Sequence, residues 1–158
     1  MLNRKTTYGI HALLHLARKR EEGVVAVARI SEDLQVSRKF LERILADLKQ
    51  EGMVVSQSGR DGGYRLGAVG LELCLADVVR VLEGPIALLP CASHRFYAPC
   101  AECHQPETCA LQDALVGVRN ATVHSLKQIT LAHLLQSEQL LSEGAKALVR
   151  PTPYQEGQ

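Results

Sequence analysis

Four cysteines fall in one short segment of this chain, and their thiols are the side chains with the clearest capacity for chemistry. They are Cys91, Cys100, Cys103 and Cys109. Deprotonated cysteines are soft, anionic ligands that bind iron–sulfur clusters and zinc. Cys100 and Cys103 also have the spacing of zinc knuckles and dithiol redox motifs, so structural zinc and a reversible disulfide are alternatives to a cluster. The fifth cysteine, Cys74, lies between two leucines and is expected to be a small buried residue.

A second group of residues has the chemistry of nucleic-acid recognition. Arginine and lysine bind phosphates or guanine acceptors, whereas a glutamate accepts from a cytosine amino group or orients an arginine. Arg60 lies in a glycine-rich turn and is suited to the minor groove or to phosphate. The candidate DNA-binding residues are Ser37, Arg38, Lys39, Glu42, Arg43, Arg60 and Tyr64.

The first 66 residues have the pattern of a winged helix-turn-helix. Apolar residues at helical spacing predict helices from Thr6 to about Lys19, over 27–34, and between Ser37 and Gly52. Two β-rich segments, 53–56 and 64–66, flank the glycine-rich turn and predict a hairpin. In such a domain the third helix is the recognition helix, which enters the major groove, and the hairpin is the wing.

The remainder of the chain is predicted to be helical, with the cysteine segment as an interruption. A fourth helix is expected over 75–82, a long helix from about Glu107 to Lys127, and a last helix that Thr130 caps and that ends at Leu135. An apolar side on the long helix needs a cover, and a second copy of the chain in a two-fold homodimer is the simplest one. The alternative is that this helix folds back on its own domain. The apolar residues are Leu111, Leu115, Val118 and Leu126.

These elements predict a mainly α fold, with a winged helix-turn-helix domain and a long C-terminal dimerisation helix. The chain then divides into four segments. They are a DNA-binding domain (1–84), a cysteine-containing cluster loop (85–109), dimerisation helices (110–137) and a flexible tail (138–158).

The net charge of +1 conceals an uneven distribution. Residues 1–66 hold twelve Lys or Arg against eight Asp or Glu, whereas residues 67–158 hold six against nine. Basic charge is thus concentrated in the segment of the predicted DNA contacts. The sequence has neither a membrane-spanning apolar run nor a signal-peptide pattern, so we expect a cytoplasmic protein without a membrane partner. It also has no phosphate loop and no nucleophile with an evident base, which argues against an enzyme.

Three motifs make the sequence similar to the Rrf2 family of bacterial regulators, which has IscR-, NsrR- and RirA-type members. The segments 75–80 and 83–85 add to the resemblance, which extends from Met1 to about Leu135. It implies a homodimer that binds double-stranded operator DNA, usually as a repressor, with the long helices crossing at the dimer interface. The three motifs are Tyr8-Gly9-Ile10-His11-Ala12-Leu13-Leu14, Val36-Ser37-Arg38-Lys39-Phe40-Leu41-Glu42 and Gly62-Gly63-Tyr64-Arg65-Leu66.

The same resemblance implies an iron–sulfur cluster, either 2Fe-2S or 4Fe-4S. Cys100 is an alternative to Cys103 as the second ligand, or it provides a fourth thiolate. IscR-type members have a histidine ligand three residues after the last cysteine, where this chain has Gln112 and where NsrR- and RirA-type members also lack histidine. His11 of the partner subunit matches a position from which some relatives supply a ligand. The three ligands that the resemblance implies are Cys91, Cys103 and Cys109.

A cluster between the winged domains and the dimer helices is expected to fix the angle between the two recognition helices. Nitric oxide, redox change or iron scarcity would then alter DNA affinity by changing the charge or integrity of the cluster. Gln112 favours nitric-oxide or redox sensing over the regulation of cluster biogenesis. Structural zinc and a direct thiol switch are the alternative mechanisms.

Overall fold

The computed structural model describes residues 2–100 and 106–144, and in these ranges it contains six α-helices and one two-stranded antiparallel sheet. Short 3-10 turns occur between several of the longer elements. The order of three helices, a hairpin and further helices is the mainly α arrangement that the sequence predicts. The elements are α1 (Arg4–Arg18), α2 (Val27–Asp33), α3 (Arg38–Gln50), β1 (Val54–Gln57), β2 (Gly63–Leu66), α4 (Leu75–Leu82), α5 (Ala110–Gln128) and α6 (Leu131–Ser142).

Helix α1 lies at the centre of the hydrophobic core and packs against α3, α4 and α6. Leu13 and Leu16 of α1 are fully enclosed, as is Leu45 of α3. Gly9 lies where α1 meets α4, because a Cβ at this position would come within 2.1 Å of the Leu82 side chain. Each buried leucine contributes about 1.5–3 kcal/mol to folding, so the buried side chains of α1 hold the domain together.

The two DNA-binding elements are joined to each other by the segment that precedes α2. In the hairpin, Val54 pairs with Leu66 and Gln57 pairs with Gly63. Val25 and Tyr64 exchange two further backbone hydrogen bonds of 2.8 Å, which ties the wing to the start of the helix-turn-helix. This third pairing segment is not predicted from the local sequence pattern.

Helix α5 packs on the body of the protein with one face and presents another to solvent. Half-buried Val116 and Val123 lie on the first face, and the neighbours of α5 are α4 and the turn Pro90–Ala92. Leu111 and Val118 lie on the second face and are 60% and 49% exposed. The long helix therefore folds back on its own domain along one face, as in the alternative prediction, but its other face remains exposed.

Helix α6 is longer than predicted and belongs to the core of the winged domain. It ends at Ser142 rather than at Leu135, so the helix extends into the segment that the sequence analysis predicts to be a flexible tail. Leu131 is fully buried, and Arg18 of α1 donates two hydrogen bonds to the carboxylate of Glu138. The predicted end is wrong because these contacts join residues far apart in the chain, which local periodicity does not report.

A carboxylate at the end of α4 holds the start of α1. Glu83 Oε2 accepts hydrogen bonds from the hydroxyl of Thr6 at 2.6 Å and from the backbone N–H of Asn3 at 3.1 Å. The hydrogen bond from Thr6, followed by that from Asn3, holds the pKa of Glu83 below its ordinary value of 4.5. These contacts explain why a glutamate at this position suits the fold.

Replacing Glu83 with Gln is expected to lower the melting temperature at neutral pH. Because folding lowers the pKa of Glu83, the stability that its charge adds is present above the ordinary glutamate pKa and is lost as the pH falls through the lowered pKa. The melting temperatures of wild type and E83Q should therefore converge in acid. Thermal unfolding between neutral pH and about pH 3 measures this difference. E72Q, a change at an exposed glutamate, is the control, and a gap between wild type and E83Q that is the same at every pH would contradict the prediction.

Candidate nucleic-acid interface and cysteine site

The recognition helix α3 buries one side and presents its basic side to solvent. Ser37 caps the helix, and its hydroxyl accepts from the backbone N–H of Phe40 at 3.4 Å. Arg38, Lys39 and Arg43 are exposed at the start of the helix. This is the side that a helix-turn-helix places in the major groove.

Glu42 orients the arginine at the start of the recognition helix. Its Oε1 accepts from Nε of Arg38 at 2.8 Å, one helical turn away. Both side chains are more than two-fifths exposed, so the pair adds only about 0.3–0.5 kcal/mol to stability. Its effect is to hold the guanidinium in one direction with its Nη atoms still available as donors. This is one of the two roles that the sequence analysis gives to Glu42.

A surface groove brings the recognition helix and the wing together. It is lined by Arg38 and Glu42 of α3, by Arg60 at the exposed tip of the hairpin, and by half-buried Tyr64. Four of the seven candidate DNA-binding residues therefore lie around one groove. The other three lie outside the groove lining: Ser37 is the N-cap of α3, and Lys39 and Arg43 lie on the helix. Within the described part of the chain, Lys39, Arg43 and Arg60 form no ion pair, so their charges are available to phosphates.

Three further polar residues of the wing line the same groove and were not among the candidate DNA-binding residues. They are Ser56 and Gln57, at the end of β1, and Ser58, which follows them. The signal that could have identified them is their position directly before the glycine-rich turn, at the end of a strand whose other residues include buried Val54.

Two of the candidate metal ligands lie near the same end of α5. Cys91 is in the turn Pro90–Ala92 and is only 9% exposed, whereas Cys109 is the residue before α5. Gln112 contacts both: its side-chain Nε2 donates to the carbonyl oxygen of Cys91 at 2.8 Å, and its backbone N–H donates to Sγ of Cys109 at 3.4 Å. The first N–H groups of a helix carry partial positive charge, which suits an anionic ligand at the N-cap residue Cys109.

The other cysteines differ in their surroundings. Cys103 lies outside the described residues, and Cys100 is half-buried. Cys74 is also half-buried, and its thiol donates to Oδ2 of Asp77 at 3.2 Å. The prediction of a buried Cys74 is wrong, because the residue lies at the N-cap of α4, where it is only half-buried. No group of three possible metal ligands comes together among residues 2–100 and 106–144.

The histidines of α1 have different environments. His11 is exposed, as a ligand offered to another subunit would be. His15 is buried, and its Nε2 lies 2.7 Å from Oδ2 of Asp33 in α2. The hydrogen bond from His15 lowers the pKa of Asp33. His15 therefore joins α1 to the helix-turn-helix and is not presented for metal binding.

Comparison with known proteins assigns this arrangement to a family. The family model Rrf2, described as an iron-dependent transcriptional regulator, matches residues 2–137. The chain belongs to the Rrf2 family. The resemblance stated from its motifs is confirmed, and so are the expectations that it is a transcriptional regulator and not an enzyme. Regulators of the Rrf2 family bind DNA and are typically dimers.

Individual relatives agree in sequence and in fold. A protein of Rhodobacter capsulatus described as a rrf2-like HTH-type transcriptional regulator is 33% identical over 138 residues, which are 85% of this chain and 92% of the relative. The structure of CymR, the global cysteine regulator of B. subtilis, superposes with a TM-score of 0.66 at 29% identity and covers 90% of this chain and 97% of its own. T. potens IscR has the same fold, with a TM-score of 0.65, 24% identity and coverage of 96% and 93%. The predicted winged-helix architecture is thereby confirmed.

Among the described residues, none of the helices combines the length and the apolar character needed to cross a membrane.

Replacing Gly63 with Ala is expected to detach the base of the wing. A Cβ at Gly63 would lie 2.1 Å from the carbonyl oxygen of Val25, a backbone atom that cannot move without breaking the Val25–Tyr64 pairing. We expect a loss of at least about 2 kcal/mol in the free energy of unfolding, measured by urea denaturation. The matched control is G117A in α5, where a Cβ meets nothing within 4 Å and alanine favours the helix. Equal stability of G63A and wild type would disprove the close contact.

Proposed function

We propose that this Rrf2 protein is a cytoplasmic, homodimeric repressor whose affinity for operator DNA is switched by an iron–sulfur cluster. The ligands are Cys91, Cys103 and Cys109, with Cys100 or His11 of the partner subunit completing the set. The cluster is of the 2Fe-2S or the 4Fe-4S type, and it responds to nitric oxide, redox state or iron supply. The observation that carries the proposal is the common attachment of Cys91 and Cys109 to Gln112 at the start of α5.

The DNA-binding part of the proposal rests on the groove between α3 and the wing. Arg38, held by Glu42, and Arg43 are directed to base edges and phosphates of the major groove. Arg60 at the wing tip is directed to the minor groove or to phosphate. The uncompensated charge of Lys39 adds affinity that does not depend on sequence.

The homodimer is supported by the outward face of α5. Leu111 and Val118 are seven residues apart and share one side of the helix with half-buried Leu115. In a two-fold dimer, the same row on α5 of a second copy would pack against these half-exposed apolar residues and shield them from water, with the two helices crossing. A two-fold dimer presents two recognition helices to the two halves of a palindromic operator.

The donor set of the cysteine site suits an iron–sulfur cluster. Cys91 and Cys109 offer thiolates at one end of one helix, and Cys103 belongs to the segment between them. When bound, a cluster supplies one-electron redox chemistry and reactivity towards nitric oxide and oxygen species. The residues of this chain supply the thiolates, the shielding of Cys91 from water and the attachment to α5.

A direct thiol switch or a structural zinc is the second candidate function. The similarity to CymR, which is described as a cysteine regulator, favours the thiol switch. The two-residue spacing of Cys100 and Cys103 suits both a reversible disulfide and zinc. In this case the winged domain and the dimer keep the roles given above, and only the chemistry at the cysteines differs.

Purification without oxygen tests the cluster. We expect near-ultraviolet and visible charge-transfer absorption with matching amounts of iron and sulfide, and its loss in each of the variants C91A, C103A and C109A. C74A is the matched control and should keep the absorption, because Cys74 bonds to Asp77 of α4 and lies outside the proposed ligand set. A colourless protein that contains only zinc would overturn the cluster and support the zinc alternative, and a metal-free protein would support the thiol switch.

Substitution of the proposed DNA contacts tests the interface. On genomic fragments selected by the wild-type protein, the triple change R38A, R43A and R60A is expected to weaken binding by at least about 100-fold, and the single change R43A by about 5- to 150-fold. The slope of log affinity against log salt should also fall by about one for each phosphate contact removed. K127A on α5 removes a positive charge far from α3 in sequence and controls for net charge. Unchanged binding by the triple variant would show that α3 and the wing are not the DNA-binding surface.

A further inference from the structure

The turn that carries Cys91 is fastened to α5 by two side chains. Gln112 Nε2 donates to the carbonyl oxygen of Cys91 at 2.8 Å, and Arg119 Nη1 donates to the carbonyl oxygen of Ala92 at 2.6 Å. The two donors are seven residues apart, which is two helical turns, so they project from the same face of α5. Both bonds connect segments that are more than twenty residues apart in the chain.

The fastened turn is shielded from water. Cys91 is 9% exposed, Ala92 is fully buried and Ser93 is 6% exposed. A buried carbonyl that loses its hydrogen-bond donor bears the full cost of its desolvation, whereas an exposed one regains a bond to water. The two side chains therefore hold this turn more firmly than the same bonds would on an open surface.

Each of the two residues makes a second contact, and that of Arg119 orients its donor group. The backbone N–H of Gln112 donates to Sγ of Cys109, so this one residue contacts both proposed ligands. The guanidinium of Arg119 also donates from Nε and Nη2 to Oδ1 of Asn120, at 3.1 and 2.7 Å, which fixes its plane. A donor with a fixed direction loses less entropy when it binds its acceptor than a freely rotating one.

We propose that Gln112 and Arg119 are positioning residues for Cys91, which hold its turn against α5 and keep its thiol shielded until the turn moves. Ligation or oxidation of Cys91 is then coupled to α5 through these two bonds. Helix α5 packs on α4, and α4 packs on the recognition helix α3, so a continuous packed route leads from the turn to the DNA-binding surface. The inference rests on the proposed function in taking Cys91 as the switch residue, and it adds the residues that connect the switch to the helix.

The alkylation rate of Cys91 tests the positioning role. The reduced, full-length chain, freed of metal by chelation, is treated with iodoacetamide, and mass spectrometry follows each cysteine separately. Since thiol access requires the turn to open, Q112A and R119A are each expected to speed Cys91 labelling about fivefold, and the double variant about 25-fold. The rate at Cys74 should stay constant and is the internal reference.

Volume-conserving variants separate positioning from general destabilisation. Q112E keeps the shape of the side chain but faces the Cys91 carbonyl with an acceptor, so it should speed labelling at least as much as Q112A. R119K keeps the charge and one donor and should have a smaller effect than R119A. Q128A and K127A, at exposed positions in the last turn of α5, should leave the Cys91 rate unchanged. Unchanged Cys91 rates in Q112E and R119A, or equal acceleration at Cys74 and Cys91, would overturn the proposal.

Hydrogen exchange tests the coupling to α5. Alkylation of Cys91 in the wild-type chain is expected to speed amide exchange in the first half of α5, and the double variant Q112A and R119A should show fast exchange there before alkylation and little further change after it. No effect of alkylation on α5 in the wild type would overturn the coupling.

Neither measurement uses DNA or a cluster. A chain without iron whose Cys91 is released by these substitutions would remove the cluster proposal and keep the positioning role. A chain that holds a cluster but whose Cys91 labelling rate is unchanged by these substitutions would keep the cluster proposal and remove the positioning role.

Discussion

The burial of α1, which is enclosed on all sides from Ala12 to Ala17, is the constraint on which the rest of the structure depends. Helices α3, α4 and α6 all pack on α1, and Gly9 allows α4 to approach closely. Because a protein interior is close-packed and resists small displacements, these helices share one support. The orientation of the recognition helix is therefore tied to that of α4, the helix against which α5 rests. The contact between buried His15 and the exposed carboxylate of Asp33 attaches α2 to the same support.

Helix α5 has one face that packs inside the protein and one that is available to a partner molecule. One face packs on α4 and on the turn of Cys91, whereas the apolar face with Leu111 and Val118 is open to solvent. A helix with two contact faces transmits a change on one to the other as a rigid body, since its backbone hydrogen bonds resist bending. A second copy on the open face would thus be affected by what happens at the cysteine turn. This physical arrangement suits a regulator that must alter the geometry of two recognition helices together.

Gln112 illustrates how a change of one residue alters a site without removing it. In IscR-type relatives the resemblance implies a histidine ligand at this position, whereas here the amide donates to the Cys91 carbonyl and the backbone N–H donates to the Cys109 sulfur. The residue has become a connection between two cysteine segments. In the wing, glycine is required at position 63 because the carbonyl oxygen of Val25 approaches too closely for a Cβ, and not because of the turn itself.

The sequence by itself determined the winged helix-turn-helix, the recognition helix, the wing and the family, because periodicity, capping residues and turn glycines are local signals that survive without tertiary information. Glu42 as the partner of Arg38 was also within reach, since residues four apart on a helix are neighbours. Only the tertiary structure decided that α6 continues to Ser142, that Val25 joins the wing, that α5 has a packed and an open face, and that Gln112 and Arg119 hold the turn of Cys91. These features arise from contacts between residues distant in the chain. Such contacts depend on how the elements pack in space, and no local pattern of residue types records that.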